Sequence, residues 1–203
     1  MKRLIPLFLV FPVFVFSQNG GVVFEKKISN WSAVITKATK ENKYIFVDCY
    51  TTWCKPCKEI KTKVFSFKKA GNFFNKHFIN IALQIDATKK DNSNIVAVRN
   101  MFKHLKDSCK INYYPTFLIF TNTGKLVHKF TRGENPNDII GRAKEGLQKS
   151  EQYYTLVEKL KMTQDRKLLE TVCAKAFEVG DSIDNYLKLY IENNPVLLSL
   201  IHI

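Results

Sequence analysis

Seven consecutive residues, Tyr44-Ile45-Phe46-Val47-Asp48-Cys49-Tyr50, form an apolar, aromatic and β-branched run that a single acid interrupts. Such a run lacks the polar alternation of a half-solvated strand and reads as a central strand covered on both faces. An isolated Asp in that setting costs too much to be accidental. Asp48 is therefore expected to be either paired or held protonated for use.

Thr51-Thr52-Trp53 turns the chain out of this strand, and a helix is predicted to begin near Cys54. Cys57, Ile60 and Val64 fall on its inner face by spacings of three and four, while Lys58, Glu59 and Lys61 face water. Cys54 and Cys57 are thus one turn apart at a helix start. Thiol exchange needs a thiolate at neutral pH and a second thiol close enough to resolve a mixed disulfide, and this spacing supplies both. The first helical turn offers unpaired N–H groups and the positive end of the dipole, which favour a thiolate at Cys54 and leave Cys57 deeper. Pro56 suits a first turn because it has no N–H to lose. Lys55 and Lys58 add positive potential.

Other elements follow from pattern. A short strand is expected at residues 22–24, and a helix from Trp31, capped by Ser29 or Asn30, with Val34, Ile35 and Ala38 inward. A helix over residues 68–77 leads into a strand over 78–85. Residues 86–93 form a polar loop, and 95–105 form a helix with Val98, Phe102 and Leu105 inward. Residues 114–120 read as a strand opening with Pro115. Asn122-Thr123-Gly124 then turns the chain into a strand at 126–130, and another helix starts near Asn137. Helices alternating with strands before a closing hairpin give an α/β fold, a central mixed sheet flanked by helices. From residue 150 the pattern is helical. Leu169, Val172, Cys173, Ala176 and Phe177 share one stripe, Ile183, Leu187 and Ile191 another, with Gly180-Asp181 between them. This makes a short C-terminal α-helical extension, one hairpin being too few for a repeat array. The sequence ends on the apolar Leu198-Ser199-Leu200-Ile201-His202-Ile203, which reads as a truncated or non-native end.

Composition bounds the rest. At 203 residues and 45% hydrophobic content, the chain can bury one core of ordinary domain size and a small appendage. The net charge of +14 comes from scattered lysines, without aromatic RNA-recognition patterns or zinc-finger spacing, so no nucleic-acid partner is expected. Residues 1–17 read as a signal peptide. Lys2 and Arg3 precede an apolar run over residues 4–16, shorter than the roughly 18 to 20 residues of a membrane span, and Val15 and Ser17 suit a cleavage site. Gln18 would then begin the mature chain, its net charge lowered to +12 by loss of Lys2 and Arg3, with no stable membrane span. An uncleaved anchor is the alternative. The destination is the periplasm or cell envelope, where disulfides persist. The expected organisation is 1–17 signal peptide, 18–149 α/β domain and 150–203 helical extension.

The string Val47-Asp48-Cys49-Tyr50-Thr51-Thr52-Trp53-Cys54-Lys55-Pro56-Cys57-Lys58, with Tyr114-Pro115-Thr116 and Gly124 downstream, resembles the thioredoxin superfamily over about residues 28 to 149. Within it the chain looks most like exported bacterial thioredoxin-like proteins related to thiol:disulfide interchange domains. The resemblance implies the thioredoxin fold, with Cys54 as the attacking thiol, Cys57 as the resolving thiol and Asp48 as the acid that accepts the Cys57 proton through water. Cys54 and Cys57 would form the redox-active disulfide. It further implies a cis peptide bond at Pro115 beside the cysteines, and substrate docking on Trp53, Lys55, Pro56, Tyr114 and Pro115. Three departures from the family are visible. Lys55 replaces the usual glycine of cytoplasmic thioredoxins, Ala82 stands where many have a lysine near the acid, and the stretch from Cys57 to Pro115 is longer by about one helix.

The leading function is a protein-disulfide reductase or interchange enzyme, because the proline between the cysteines is typical of reductases. Its partners would be protein disulfides and a membrane electron donor, and no cofactor is called for. A redox-inactive binding module of the envelope is the alternative from another class, and a Cu(I) metallochaperone a third. A zinc site lacks its second half, since Cys49, Cys109 and Cys173 are single and His77 and His104 are not at ligand spacing. Cys49, facing away from Asp48 on the strand, reads as a buried inert thiol and Cys173 as core. Cys109 lies in a polar segment six residues before Pro115, with a free regulatory thiol as one reading.

Overall fold

The computed structural model describes residues 20–131, 133, 135–163 and 165–192. The signal-peptide reading of residues 1–17, the Gln18 start and the apolar end at 198–203 lie outside the described residues.

Helix α1, Trp31–Glu41, starts where the Asn30 side chain accepts the Ala33 N–H at 2.8 Å, and it ends at Asn42 in the left-handed region with φ 48°. Strand β1, Tyr44–Tyr50, follows. Helix α2, Lys55–Ile60, runs without a break into a π-helical turn, Lys61–Phe65, and α3, Lys68–His77, leads directly into β2, Phe78–Gln84. Helix α4, Ser93–Met101, and the single turn α5, Leu105–Ser108, replace the continuous helix expected over 95–105. Val98, Phe102 and Leu105 are nevertheless all buried. Strands β3, Thr116–Phe120, and β4, Leu126–Thr131, form the closing hairpin, and α6, Pro136–Glu145, starts at the Asn135 cap. Gly124 takes φ 84° in the hairpin turn, a conformation that glycine reaches without penalty.

The sheet order is β2-β1-β3-β4, with β1 parallel to β2 and antiparallel to β3, and β3 antiparallel to β4. Strand β1 is therefore internal, which accounts for its unbroken apolar run. Its alternate side chains feed two cores. Ile45, Val47 and Cys49 join Val34, Ala38, Val98 and Leu118 on one face, while Phe46 joins Phe65, Phe74, Phe117 and Phe130 on the other. Asp48 shares the parity of Phe46 and so points toward the α2 side. The strand expected at residues 22–24 is reduced to one parallel bridge, Phe24 to Asn80.

Helices α7, Tyr153–Met162, α8, Arg166–Glu178, and α9, Asp184–Glu192, form the extension. Leu156, Val157, Leu160, Leu168, Leu169, Val172 and Ala176 make their own core. Two of the expected stripe residues depart from it: Cys173 is half-buried at the cluster's margin, and Phe177 is 82% exposed. Ile183 and Leu187 are exposed as well. Helix α8 packs against both α7 and α9, and Phe177, at the edge of its stripe, faces away from the core they share.

The extension is fixed to edge strand β4 by buried polar groups. Lys129, 1% exposed, donates to the Cys109 and Lys110 carbonyls at 2.8 and 3.1 Å and pairs with Asp181 at 2.8 Å. All three ammonium donors are thus used, as a buried charge requires. Asp181 also accepts from the Tyr153 hydroxyl at 2.9 Å, and His128 Nδ1 accepts the Tyr153 N–H at 3.1 Å. Burial pulls His128 down to about 4 and keeps it neutral, consistent with this acceptor role. Among the described residues, no helix is long and apolar enough to cross a membrane.

Candidate active site

The first strand ends at Tyr50 beside the end of β2, and the turn that follows delivers Cys54 to the N-cap of α2. Cys54 and Cys57 are joined as a disulfide with Cα atoms 5.4 Å apart. The Cys54 sulfur accepts the Cys57 N–H at 3.1 Å, so one of the helix's unpaired donors points at sulfur. Cys57 was expected to lie deeper than Cys54. In the disulfide both are buried, Cys54 at 3% and Cys57 at 8%, because the capping sulfur is drawn over the helix end by that N–H.

Cys57 faces inward onto a cavity of about 450 Å³ that Asp48, Thr51, Lys58, Lys61 and Phe65 also line. Desolvation raises the Asp48 carboxyl from 3.8 to about 7, against a smaller opposing pull from Lys61. The acid therefore does have a cation near it. Ala82 is the β2 partner of Asp48 and carries no charge, and the positive group comes instead from the π-helical turn that continues α2. Lys61 was read as a solvent-facing residue. It is exposed over most of its length, yet it stands four positions after Cys57, and residues so spaced are neighbours on a helix surface. Its long stem lets the ammonium line the cavity while the residue remains wet. That i, i+4 spacing was the available signal. The Thr51 hydroxyl, also on the cavity, is buried without a protein partner.

Asp86 is a second residue that sequence reasoning left in a loop. Its carboxylate accepts the Thr52 N–H at 2.9 Å and, through its other oxygen, the Thr52 hydroxyl. The Asp86 carbonyl in turn accepts from Arg99 at 2.6 Å and from Gln84 at 2.9 Å, and Arg99 pairs with Asp91 at 2.7 Å. The turn before Cys54 is thereby tied to the end of β2. Parallel strands finish at the same sheet edge, so an acid just after the second meets the loop after the first.

The Tyr114-Pro115 bond is cis and precedes β3 instead of opening it. Tyr114 packs edge-to-face on Trp53 with ring centroids 5.8 Å apart, which brings the loop beside the cysteines. Trp53, Lys55 and Pro56 lie exposed around the disulfide; Tyr114 is half-buried and Pro115 is buried.

The three other cysteines are free thiols. Cys49 and Cys109 are buried in the same core, and burial raises both thiols above their ordinary value. Cys109 is thus packed despite its polar neighbours in sequence. No group of three or more His, Cys, Asp or Glu that could hold a metal occurs among the described residues.

Residues 31–147 match the family model of the thioredoxin-like domain, leaving α7 to α9 outside it. The chain is 26% identical over 129 residues to a thioredoxin H-type of Chlamydomonas reinhardtii, covering 64% of this chain and 90% of that relative. It resembles the solution structure of a candidate disulphide isomerase from Bacteroides thetaiotaomicron, with a TM-score of 0.51 and 26% identity over 65% of this chain and 98% of that one. The DsbH oxidoreductase shares the fold at a TM-score of 0.53 with 13% identity, covering 72% of this chain and 94% of its own. With the model spanning more than half the chain and the cysteine pair on the helix cap, the protein belongs to the thioredoxin-like domain family.

Proposed function

We propose that this chain is an exported thiol:disulfide oxidoreductase that reduces or exchanges disulfides in other proteins. The observation that carries the reading is the Cys54–Cys57 disulfide on a helix cap, with Cys57 and Asp48 on one cavity.

In the reducing direction, the Cys54 thiolate attacks one sulfur of a substrate disulfide. A Cys54–substrate bond forms and the other substrate sulfur leaves as a thiolate, which takes a proton from solvent. Cys57 then gives its proton to ionised Asp48 across the cavity, and its thiolate attacks the Cys54 sulfur. The mixed disulfide breaks, the second substrate sulfur leaves, and the pair ends oxidised while the substrate has gained two electrons. Asp48, with its carboxyl near 7, is suited to hold and release a proton at neutral pH. Returning the pair to dithiol takes two electrons from another dithiol, and a membrane electron-donor protein is the proposed supplier. Trp53, Lys55, Pro56, Tyr114 and Pro115 are the proposed docking surface, and residues 1–17 the proposed export signal, followed by the 18–149 domain and the 150–203 extension. The relative from Bacteroides thetaiotaomicron, described as a candidate disulphide isomerase, supports the same chemical class.

Insulin reduction tests the proposal. With dithiothreitol as electron source, the full chain should accelerate precipitation of the insulin B chain, and Cys54→Ser should not. A wild-type chain without effect would leave the fold as a binding module.

A further inference from the structure

A second groove, of about 620 Å³, lies where the extension meets the α/β domain. Tyr113, Thr131, Arg142, Phe177, Glu178 and Gly180 line it. Its walls are continuous with the loop beside the cysteines. Tyr113 immediately precedes Tyr114-Pro115, and its carbonyl accepts the Thr116 hydroxyl at 2.7 Å. Thr131 is the β4 partner of Thr116 and donates its hydroxyl to the Glu178 carbonyl at 3.0 Å, so the end of α8 is bonded to the strand pair that carries the loop. The Gly180 backbone, at φ 70°, sits so close to the Tyr113 ring that a Cβ there would come within 2.3 Å of it.

Two aromatic side chains flank this groove, Tyr113 at 55% exposure and Phe177 at 82%. Trp53, 67% exposed, packs on Tyr114, the residue that follows Tyr113 in the chain, so the groove begins one residue from the loop beside the disulfide. Exposed aromatic side chains beside a concave wall are a mark of interaction surfaces. The charges in the groove are already offset within the chain: Arg142 pairs with Glu178 at 3.2 Å and Asp181 with Lys129. Asp181 and Ser182 complete the lining, and the larger part of its exposed surface is apolar.

We infer that the helical extension is part of the substrate-binding surface, and that this groove takes an aromatic or large aliphatic side chain of an extended polypeptide, a few residues from the cysteine that Cys54 attacks. The inference rests on the disulfide-exchange reading and adds a sequence preference to it. Backbone pairing along the Tyr114 loop would be indifferent to side chains, whereas a pocket between Tyr113 and Phe177 discriminates.

The test uses the full chain and two disulfide-linked peptides that differ only in carrying Phe or Ser a few residues to either side of the cysteine. The ratio of their kcat/KM values should favour Phe about tenfold, the size expected for burying one aromatic side chain at a partly open site. In Phe177→Ser that ratio should fall to about one. A ratio near one in the wild-type chain overturns the inference, as does a ratio that Phe177→Ser leaves unmoved. A cysteine-free Phe peptide, titrated into Cys54→Ser and followed by chemical-shift changes, separates this outcome from failure of the redox reading: binding lost in Cys54→Ser/Phe177→Ser upholds the groove even for a chain that reduces nothing. If wild type self-associates in sedimentation and Phe177→Ser does not, the groove belongs to a second copy of this chain and the peptide assignment is wrong.

Discussion

Replacing Asp48 by Asn should stabilise the oxidised chain at neutral and alkaline pH and leave it unchanged in acid. The carboxyl rises from 3.8 to about 7 chiefly through burial. Between those values the folded chain keeps a proton that the unfolded chain has released, so stability falls as pH climbs through that window and levels off above it. The lift corresponds to at most about 4 kcal/mol at roughly 1.4 kcal/mol per pH unit. Asp48 opens onto a cavity and is not sealed from solvent, so the gain from Asn should be about 2–4 kcal/mol at pH 8. For a chain of this size that is a rise in Tm on the order of 5–10 °C. Urea unfolding of both oxidised proteins at pH 4, 6 and 8 measures it: the difference should be near zero at pH 4 and largest at pH 8. Lys61→Met should push the upper end of the window to higher pH in the wild-type background and have no pH-linked effect in Asp48→Asn. A wild-type to Asn difference that is flat across pH would refute the reasoning, because it would mean the carboxyl ionises as readily in the folded chain as in the unfolded one.

In the reduced chain Cys54 should alkylate well before Cys57 at pH 7, since the Cys57 N–H supports a charge on Cys54 whereas Cys57 shares its cavity with Asp48; mass-spectrometric mapping of limited iodoacetamide labelling decides, and earlier reaction at Cys57 or Cys49 counts against it. Lys129→Met should destabilise the chain by about 3–5 kcal/mol in chemical denaturation, because it strands the buried Asp181 carboxylate; a loss below about 1 kcal/mol would show that the extension is not anchored there. Asp86→Ala should free the Thr52 amide and speed its hydrogen exchange by tenfold or more, as loss of about 1.4 kcal/mol or more implies, and protection unchanged from wild type would mean the turn before Cys54 is held by other groups.

Much of the site could be read from the chain because its residues lie close together in sequence and obey local periodicity. The run at 44–50 dictated an internal strand, its two-residue period put Asp48 and Cys49 on opposite faces, and the three-residue step from Cys54 to Cys57 put both sulfurs on one helical turn. The helix at 68–77 and the Gly124 turn were equally legible, since apolar spacing and turn residues act within a few positions. What the tertiary structure alone decided involves groups far apart in the chain. Asp86 meets Thr52 across 34 positions only because β1 and β2 run parallel and end together. Lys129 was unremarkable in sequence, yet it is buried because the extension folds back on β4 and brings Asp181 to it across 52 positions. Phe177 fits its apolar stripe by periodicity, but which edge of a stripe is covered depends on where the neighbouring helices lie, and that is set only when the helices pack. Local patterning thus determined where the cysteine pair and Asp48 lie in the fold, while the long-range closure of sheet and extension determined the charges around them and the surface beside them.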